Sequence, residues 1–416
     1  MSRSPLKNIV QVVGTAANLA AFRYPRFVYG LNDPACIPVF CMHGVEQQSF
    51  EAMIRFLETN GYNTPIADEY LEILTGNVKS PNKSILLTFD DGWSSLYTVA
   101  FPLLKQSGLR IVVFIPPGRI QDSSDMMQGT ENGLTDSGKE FDNSEVQAPS
   151  PAPGRVRAAK QKPKSRILNP EACLLSWPQI REMSDSGLVD FQSHTLNHNL
   201  VFRNSRLVDY LNPTLIQDHG IMEFPNGMDP CKRLGAPIFE TTSRLSDTPA
   251  LTPDPRIADQ CVEFVSQHGG PEFFLEREWR DRLGRLLYGL MAAPTQEWHL
   301  ETPEEQREAI RFELTESKRL IEEHLPGKSV RHICWPWHEA GEIAVEESRK
   351  AGYAANFWGR VNGRYSTPIP GNPFKIARVG GDFFFRLPGN GRISLLNILL
   401  KKTAGRMKAG SPYVSH

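Results

Sequence analysis

The chain has 416 residues, 46 Lys plus Arg against 47 Asp plus Glu, and a net charge of −1. An apolar fraction of 40% and a charged fraction of 22% are those of a globular protein. The even charge balance, with no basic stripe, excludes nucleic acid as a partner. Length alone would suggest two or three domains. The motifs described below run through most of the chain, and they point instead to one barrel with long insertions.

Residues 1–35 read as an N-terminal extension. Arg3 and Lys7 precede a moderately apolar stretch, residues 9–22, broken by Gln11, Thr15 and Asn18. It is too short and polar to span a bilayer and marginal as a signal peptide. An amphipathic helix, packed on the protein or lying on a membrane surface, is the expectation. The six cysteines form no C-x-x-C pair and no finger spacing. A cytoplasmic or membrane-associated location is therefore favoured over secretion.

The first strand-like run, residues 37–42, ends at His43. Residues 49–60 follow as a helix with Phe50, Met53, Ile54 and Leu57 on one face, stopping at Gly61. The apolar run 85–89 then leads into Asp90, Asp91 and Gly92. Asp-Gly is a common hairpin turn, but Trp93 and the helical pattern of 94–107 argue against one here. Another strand follows at 110–115. Residues 119–170 lack apolar periodicity, are rich in Ser, Gly, Asp, Lys and Pro, and read as a disordered loop. A strand at 189–193 leads to His194 and His198.

The insertion 199–300 holds Phe264, Phe273, Phe274, Trp279, Leu283 and Leu287. They suggest a packed helical piece, either covering barrel surface or walling a cleft. Thr302, Pro303 and Glu305 start a helix with a capping box. Ile310, Leu314, Ile321 and Leu325 form its buried stripe. Strands at 330–335, 353–358 and 376–379 and a helix at 342–351 complete the pattern, and 386–416 is a C-terminal tail. Repeated strand–helix units argue an α/β fold with a parallel barrel.

An acidic pair and a His-x-x-x-His, each after a strand, suit a divalent metal with a base beside it. Catalytic zinc commonly takes two histidines and a carboxylate and keeps one position for water. Histidines at i and i+4 on one helical turn or in a tight loop can share an ion. Adjacent strand-end carboxylates point apart, so one can bind metal while the other remains a base. A metal-bound water loses its proton near neutral pH, and a carboxylate can receive it. This is a design for hydrolysing an acyl bond.

Here the chain resembles the polysaccharide deacetylase family, the NodB-type carbohydrate esterases. Thr88-Phe89-Asp90-Asp91-Gly92 matches its T-F-D-D-G motif, and His194-Thr195-Leu196-Asn197-His198 matches H-[ST]-x-x-H. Residues 38–43, 177–187, 330–337 and 352–357 look like flanking family segments. The resemblance covers roughly residues 36–118, 173–200 and 300–380. It implies a distorted (β/α) barrel over 36–385, with Asp90 as general base and Asp91, His194 and His198 as ligands of one divalent ion, zinc. It also implies an acetylated carbohydrate substrate, deacetylated at N-acetyl or O-acetyl groups.

Two departures stand out. In the family's R-x-x-P-Y motif, Ile333 stands in place of Arg and Trp337 in place of Tyr. The Trp337 backbone N–H can still serve the oxyanion, but the base loses its arginine partner. The L-x-H motif that supplies a general acid has no counterpart after residue 360, where the only histidine is His416. His43 is the substitute candidate, with His338 second. A hydrogen-bonded structural role for His43 is the competing reading. Two further functions stay open: a catalytically weak or inactive member that binds glycan in envelope or exopolysaccharide assembly, and an amidohydrolase on a non-sugar substrate. Oligomeric state is not legible.

Overall fold

A computed structural model describes residues 5–31, 35–122, 173–218, 225, 232–293 and 297–403. Most of the expected disordered loop, from residue 123 onward, lies outside the described residues. Strands β1 (Val39–Met42), β2 (Leu86–Asp90), β3 (Ile111–Ile115) and β4 (Val189–Ser193) run parallel and adjacent in chain order. The insertion then interrupts with two antiparallel ribbons. They are β5 (Leu200–Tyr210) with β6 (Pro237–Ser243), and β7 (Leu251–Thr252) with β8 (His299–Leu300). The parallel sheet resumes with β9 (His332–Cys334), which pairs with β4, then β10 (Ala355–Trp358), β11 (Ile376–Ala377) and β12 (Val379–Gly380).

β11 and β12 are two halves of one short stretch. β11 pairs with β10 and β12 pairs with β1, so the sheet closes on itself around Arg378. The result is the expected (β/α) barrel. The two-residue period of the strands sorts side chains to its faces. Leu86, Val112, Phe114, Cys334, Ala355, Phe357 and Ile376 fill the interior. Leu87, Phe89, Val113, Phe191, Ile333 and Val379 point outward into the layer of helices.

The N-terminal end of the barrel is plugged by the helix Ala67–Leu74, whose Tyr70, Leu71 and Leu74 join the interior. Its first backbone N–H, at Ala67, donates to Asp190 Oδ2 at 3.1 Å. Arg331 and His332 both bond Asp68 Oδ1 on the same helix, at 3.0 and 2.8 Å. This end is thus sealed by a polar network, and the opposite mouth is left for chemistry.

Local signals set the surrounding helices. Gln47–Asn60 starts where the Glu46 carboxylate accepts from the N–H groups of Gln48 and Ser49, and it ends at Gly61 with φ 65°. Pro303–His324 starts at the Thr302–Glu305 capping box, and Ile310, Leu314 and Ile321 are buried along it. The insertion has its own small core, with Phe202, Tyr210, Phe239, Ile257, Cys261, Phe273, Trp279 and Leu283. Its helices Pro255–Gln267 and Trp279–Met291 carry much of that core, beside the β5–β6 ribbon. The insertion also docks beside the barrel mouth. Asp247 accepts from the N–H groups of Glu342 and Ile343, and Gly341 N–H donates to Leu245 O at 2.8 Å.

In the N-terminal extension, Thr15, Leu19, Phe27 and Val28 are buried. The helix Pro5–Ala20 packs against Leu395–Thr403 in the C-terminal tail. Among the described residues, no helix is long and apolar enough to cross a membrane.

Candidate metal and catalytic site

β2 directs Thr88 and Asp90 into the barrel and ends at its mouth. The next two residues are both left-handed, Asp91 at φ 72° and Gly92 at φ 75°. Only glycine fits the second position, because a Cβ there would lie 2.8 Å from Ile115 Cγ2. The reversal turns the Asp91 carboxylate away from that of Asp90. Trp93 Nε1 donates to Asp91 Oδ2 at 3.1 Å. Asp91 Oδ1 faces His194 Nε2 at 3.5 Å and His198 Nε2 at 3.6 Å.

β4 delivers the two histidines in a tight loop rather than a helix. His194 N–H donates to Ile115 O, extending the ladder by one residue. Thr195 and His198 take left-handed angles, φ 66° and 54°, and His198 N–H closes the loop onto Thr195 Oγ1 at 3.1 Å. Such strain persists only where surrounding structure enforces it. Glu313 does so here, accepting from Asn197 N at 3.0 Å and Asn199 Nδ2 at 2.9 Å. Gly118 packs against the same loop, where a Cβ would meet Asn197 Oδ1 at 2.4 Å.

The His194 tautomer follows from its partner. Its Nδ1 lies 2.8 Å from the Cys334 carbonyl, which can only accept. Nδ1 therefore carries the proton and Nε2 presents a lone pair, the second-sphere arrangement of metal-binding histidines. Burial pushes both imidazoles down, His194 to about 4 and His198 to about 3. Both are thus neutral, as ligation requires.

The residues present fit a divalent ion. Asp91 Oδ1 is buried with no hydrogen-bond partner, although two imidazole nitrogens face it. Ligands 2.0–2.1 Å from a tetrahedral ion lie about 3.3–3.4 Å apart, close to the spacings seen. Asp90, His194 and Cys334 form a second trio of possible ligands. It is a poor cation site, because Arg378 already occupies Asp90.

Arg378 was not foreseen as a site residue. Its Nη1 donates to Asp90 Oδ1 at 2.7 Å and its Nη2 to Asp90 Oδ2 at 2.8 Å, a two-pronged pair inside the barrel. Nη1 also reaches Thr88 Oγ1 at 3.0 Å. Cys41 and Cys334 direct thiols at Asp90 Oδ2, at 3.5 and 3.7 Å. Burial alone would raise the Asp90 pKa. The Arg378 guanidinium outweighs it, with His194 adding, and holds Asp90 well below the usual carboxylate range. Arg331, the nearby arginine of the third-motif strand, sits at the sealed end of the barrel. A signal for Arg378 existed in its sequence context: a lone arginine in the strand-like run 376–379, two residues from Ile376.

His43 follows β1 at the mouth and is half-buried. It lies within electrostatic reach of Asp90, His194 and His338, so it belongs to the same cluster. Trp337 follows β9 and sets its ring edge-on against His198, 4.6 Å between centroids. The structure therefore brings together Asp90, Asp91, His194, His198, His43 and Trp337, and adds Arg378.

Residues 77–214 match the polysaccharide deacetylase family model. A Bacillus subtilis (strain 168) relative, YxkH, is 33% identical over 90 residues, covering 20% of this chain and 32% of that protein. The poly-beta-1,6-N-acetyl-D-glucosamine N-deacetylase of Escherichia coli K12 is 26% identical over 183 residues, covering 43% of this chain and 22% of that protein. The chain thus spans a third or less of the length of these curated relatives. Among solved structures, a de-N-acetylase from Aggregatibacter actinomycetemcomitans aligns with a TM-score of 0.46 and 17% identity, over 87% of this chain and 99% of that one.

Proposed function

We propose, from a chain whose residues 77–214 match the polysaccharide deacetylase family model, that this protein is a metal-dependent hydrolase removing acetyl groups from an acetylated polysaccharide or glycan. The observation that carries the reading is the convergence of Asp91 Oδ1, His194 Nε2 and His198 Nε2 beside Asp90. Two imidazoles and one carboxylate suit zinc and leave room for further ligands. When bound, the ion would acidify water and polarise the acetyl carbonyl. The name of the Escherichia coli relative supports an N-acetyl sugar as the substrate class.

The chain's own residues divide the remaining work. Asp90 takes the proton of the attacking water, aimed by the Arg378 fork. Its low basicity is offset by burial and by placement next to the reacting atoms. Trp337 offers its backbone N–H to the developing oxyanion, and its ring walls the cleft over His198. His43, on the mouth side of Asp90, protonates the leaving amine.

The competing reading, a weak or inactive glycan binder, rested on a missing arginine and a missing terminal histidine. Arg378 supplies the charge that the first ground lacked, and His43 is available for the second. The deciding experiment measures acetate release from N-acetylglucosamine oligomers by zinc-loaded wild type and Asp90→Asn. Removing the base with geometry kept should slow release by roughly 10²–10⁴. Equal turnover by the two proteins would overturn the assignment of Asp90.

A further inference from the structure

The turn after β9 places two consecutive side chains in the left-handed region, Trp337 at φ 58° and His338 at φ 59°. Glycine or asparagine is the ordinary residue there. A histidine held in such a backbone invites the question of what its ring does.

The ring is gripped on two sides. Its Nδ1 lies 3.4 Å from Arg378 Nη2. Its Cγ–Cδ2 side fills the space left by the absent side chain of Gly359, where a Cβ would lie 2.6 Å from His338 Cγ and 2.7 Å from Cδ2. The residue as a whole is nevertheless only half-buried. The ring atoms outside these two contacts are Cε1 and Nε2.

Hydrogen bonding then fixes the proton. A guanidinium only donates, so Nδ1 must accept. An imidazole whose Nδ1 accepts is neutral and carries its hydrogen on Nε2. Desolvation, with the Arg378 charge adding, acts in the same sense and pushes the ring down to about 3. Such a ring is a poor proton donor in the sense of a general acid and a good hydrogen-bond donor.

We propose that His338 is a specificity-determining residue whose Nε2–H, locked by Arg378 and Gly359, donates to an acceptor oxygen of the acylated sugar beside Asp90. The inference rests on the deacetylase reading and adds a substrate contact to it. It also takes His338 out of the general-acid role.

The test compares zinc-loaded wild type, His338→Gly and His338→Asn on N-acetylglucosamine oligomers. Both replacements tolerate a left-handed backbone, and only asparagine keeps an N–H donor. His338→Gly should raise KM about tenfold, the equivalent of ~1.4 kcal/mol, with kcat nearly unchanged. Zinc content and Tm should be retained. His338→Asn should recover most of the loss. A wild-type KM in His338→Gly would overturn the inference while leaving the deacetylase reading standing. So would a fall in kcat at constant KM with a displaced pH–rate profile, since that would mean His338 acts only by holding Arg378. If wild type cleaves no acetylated oligomer, the deacetylase reading falls and this inference with it.

Discussion

Replacing Arg378 by methionine, of similar length and without charge, removes one half of a fully buried ion pair. Asp90 is 2% exposed and Arg378 1%, so solvent cannot compensate. Asp90 loses both 2.7–2.8 Å charge-assisted bonds and keeps only the two weak thiol contacts. Breaking a buried pair in this way costs about 3–5 kcal/mol, or a Tm lower by roughly 3–6 °C in a protein of 416 residues. The pH dependence carries a sign. In wild type the folded-state pKa of Asp90 is depressed. Its contribution is therefore present above the unfolded value, about 3.9, and is lost only in strong acid. Without Arg378, burial dominates and raises the folded-state pKa above the unfolded one. The folded variant then binds a proton that the unfolded chain releases, so its stability should fall as pH rises from about 4 toward neutrality. The assay is Tm against pH from 4 to 8, alongside acetate release. The double variant Asp90→Asn/Arg378→Met should recover part of the lost stability, since no buried charge is stranded. A single variant with wild-type Tm, an unchanged pH profile and retained turnover would refute the claim that Arg378 holds the base.

Metal analysis of His198→Ala should show the loss of about one bound zinc per chain, and equal metal content in variant and wild type would remove His198 from the ligand set. A bound divalent ion would join residues after β2 to residues after β4, so chelation should lower the wild-type Tm; saturation at a free-metal concentration of 1,000 Kd is worth about 4 kcal/mol of stability. His43→Ala should depress amide hydrolysis far more than hydrolysis of an acetyl ester with a good leaving group, which needs little protonation. An equal loss on both substrates, measured by acetate release, would make His43 a structural residue.

The convergence of Asp91, His194 and His198 beside Asp90 was legible because its signals are local. Asp90 and Asp91 adjoin at a strand end, and His194 and His198 lie four apart. In each case the residue types, the spacing and the preceding apolar run sit in one short stretch of sequence. The helix starting at Thr302 was legible for the same reason, its cap and its first turn being neighbours. The ribbon of β5 and β6 was not. Arg203, Asn204, Ser205 and Arg206 interrupt any apolar alternation, and the pairing tolerates register shifts there. Such a strand is specified by the helices it packs on rather than by its own pattern.

Arg378 shows what a strand reading can yield once closure is considered. Asp90 and Arg378 are 288 positions apart, so no motif window contains both. Yet the stretch around Arg378 must pair with β10 on one side and β1 on the other, because a barrel has no free edge. Within it Ile376 points inward and Val379 outward. Strand alternation then puts Arg378 on the face of Ile376, inside the barrel. A buried guanidinium cannot stand alone and must find a carboxylate. Asp190 is taken at the sealed end by Lys328, Gln192 and Ala67. Asp91 is turned away by its left-handed backbone toward the two histidines. Asp90 is the carboxylate left at the height of Arg378. The pairing thus follows from closure, alternation and the cost of an unpaired charge, without an arginine at the third-motif position that Ile333 holds.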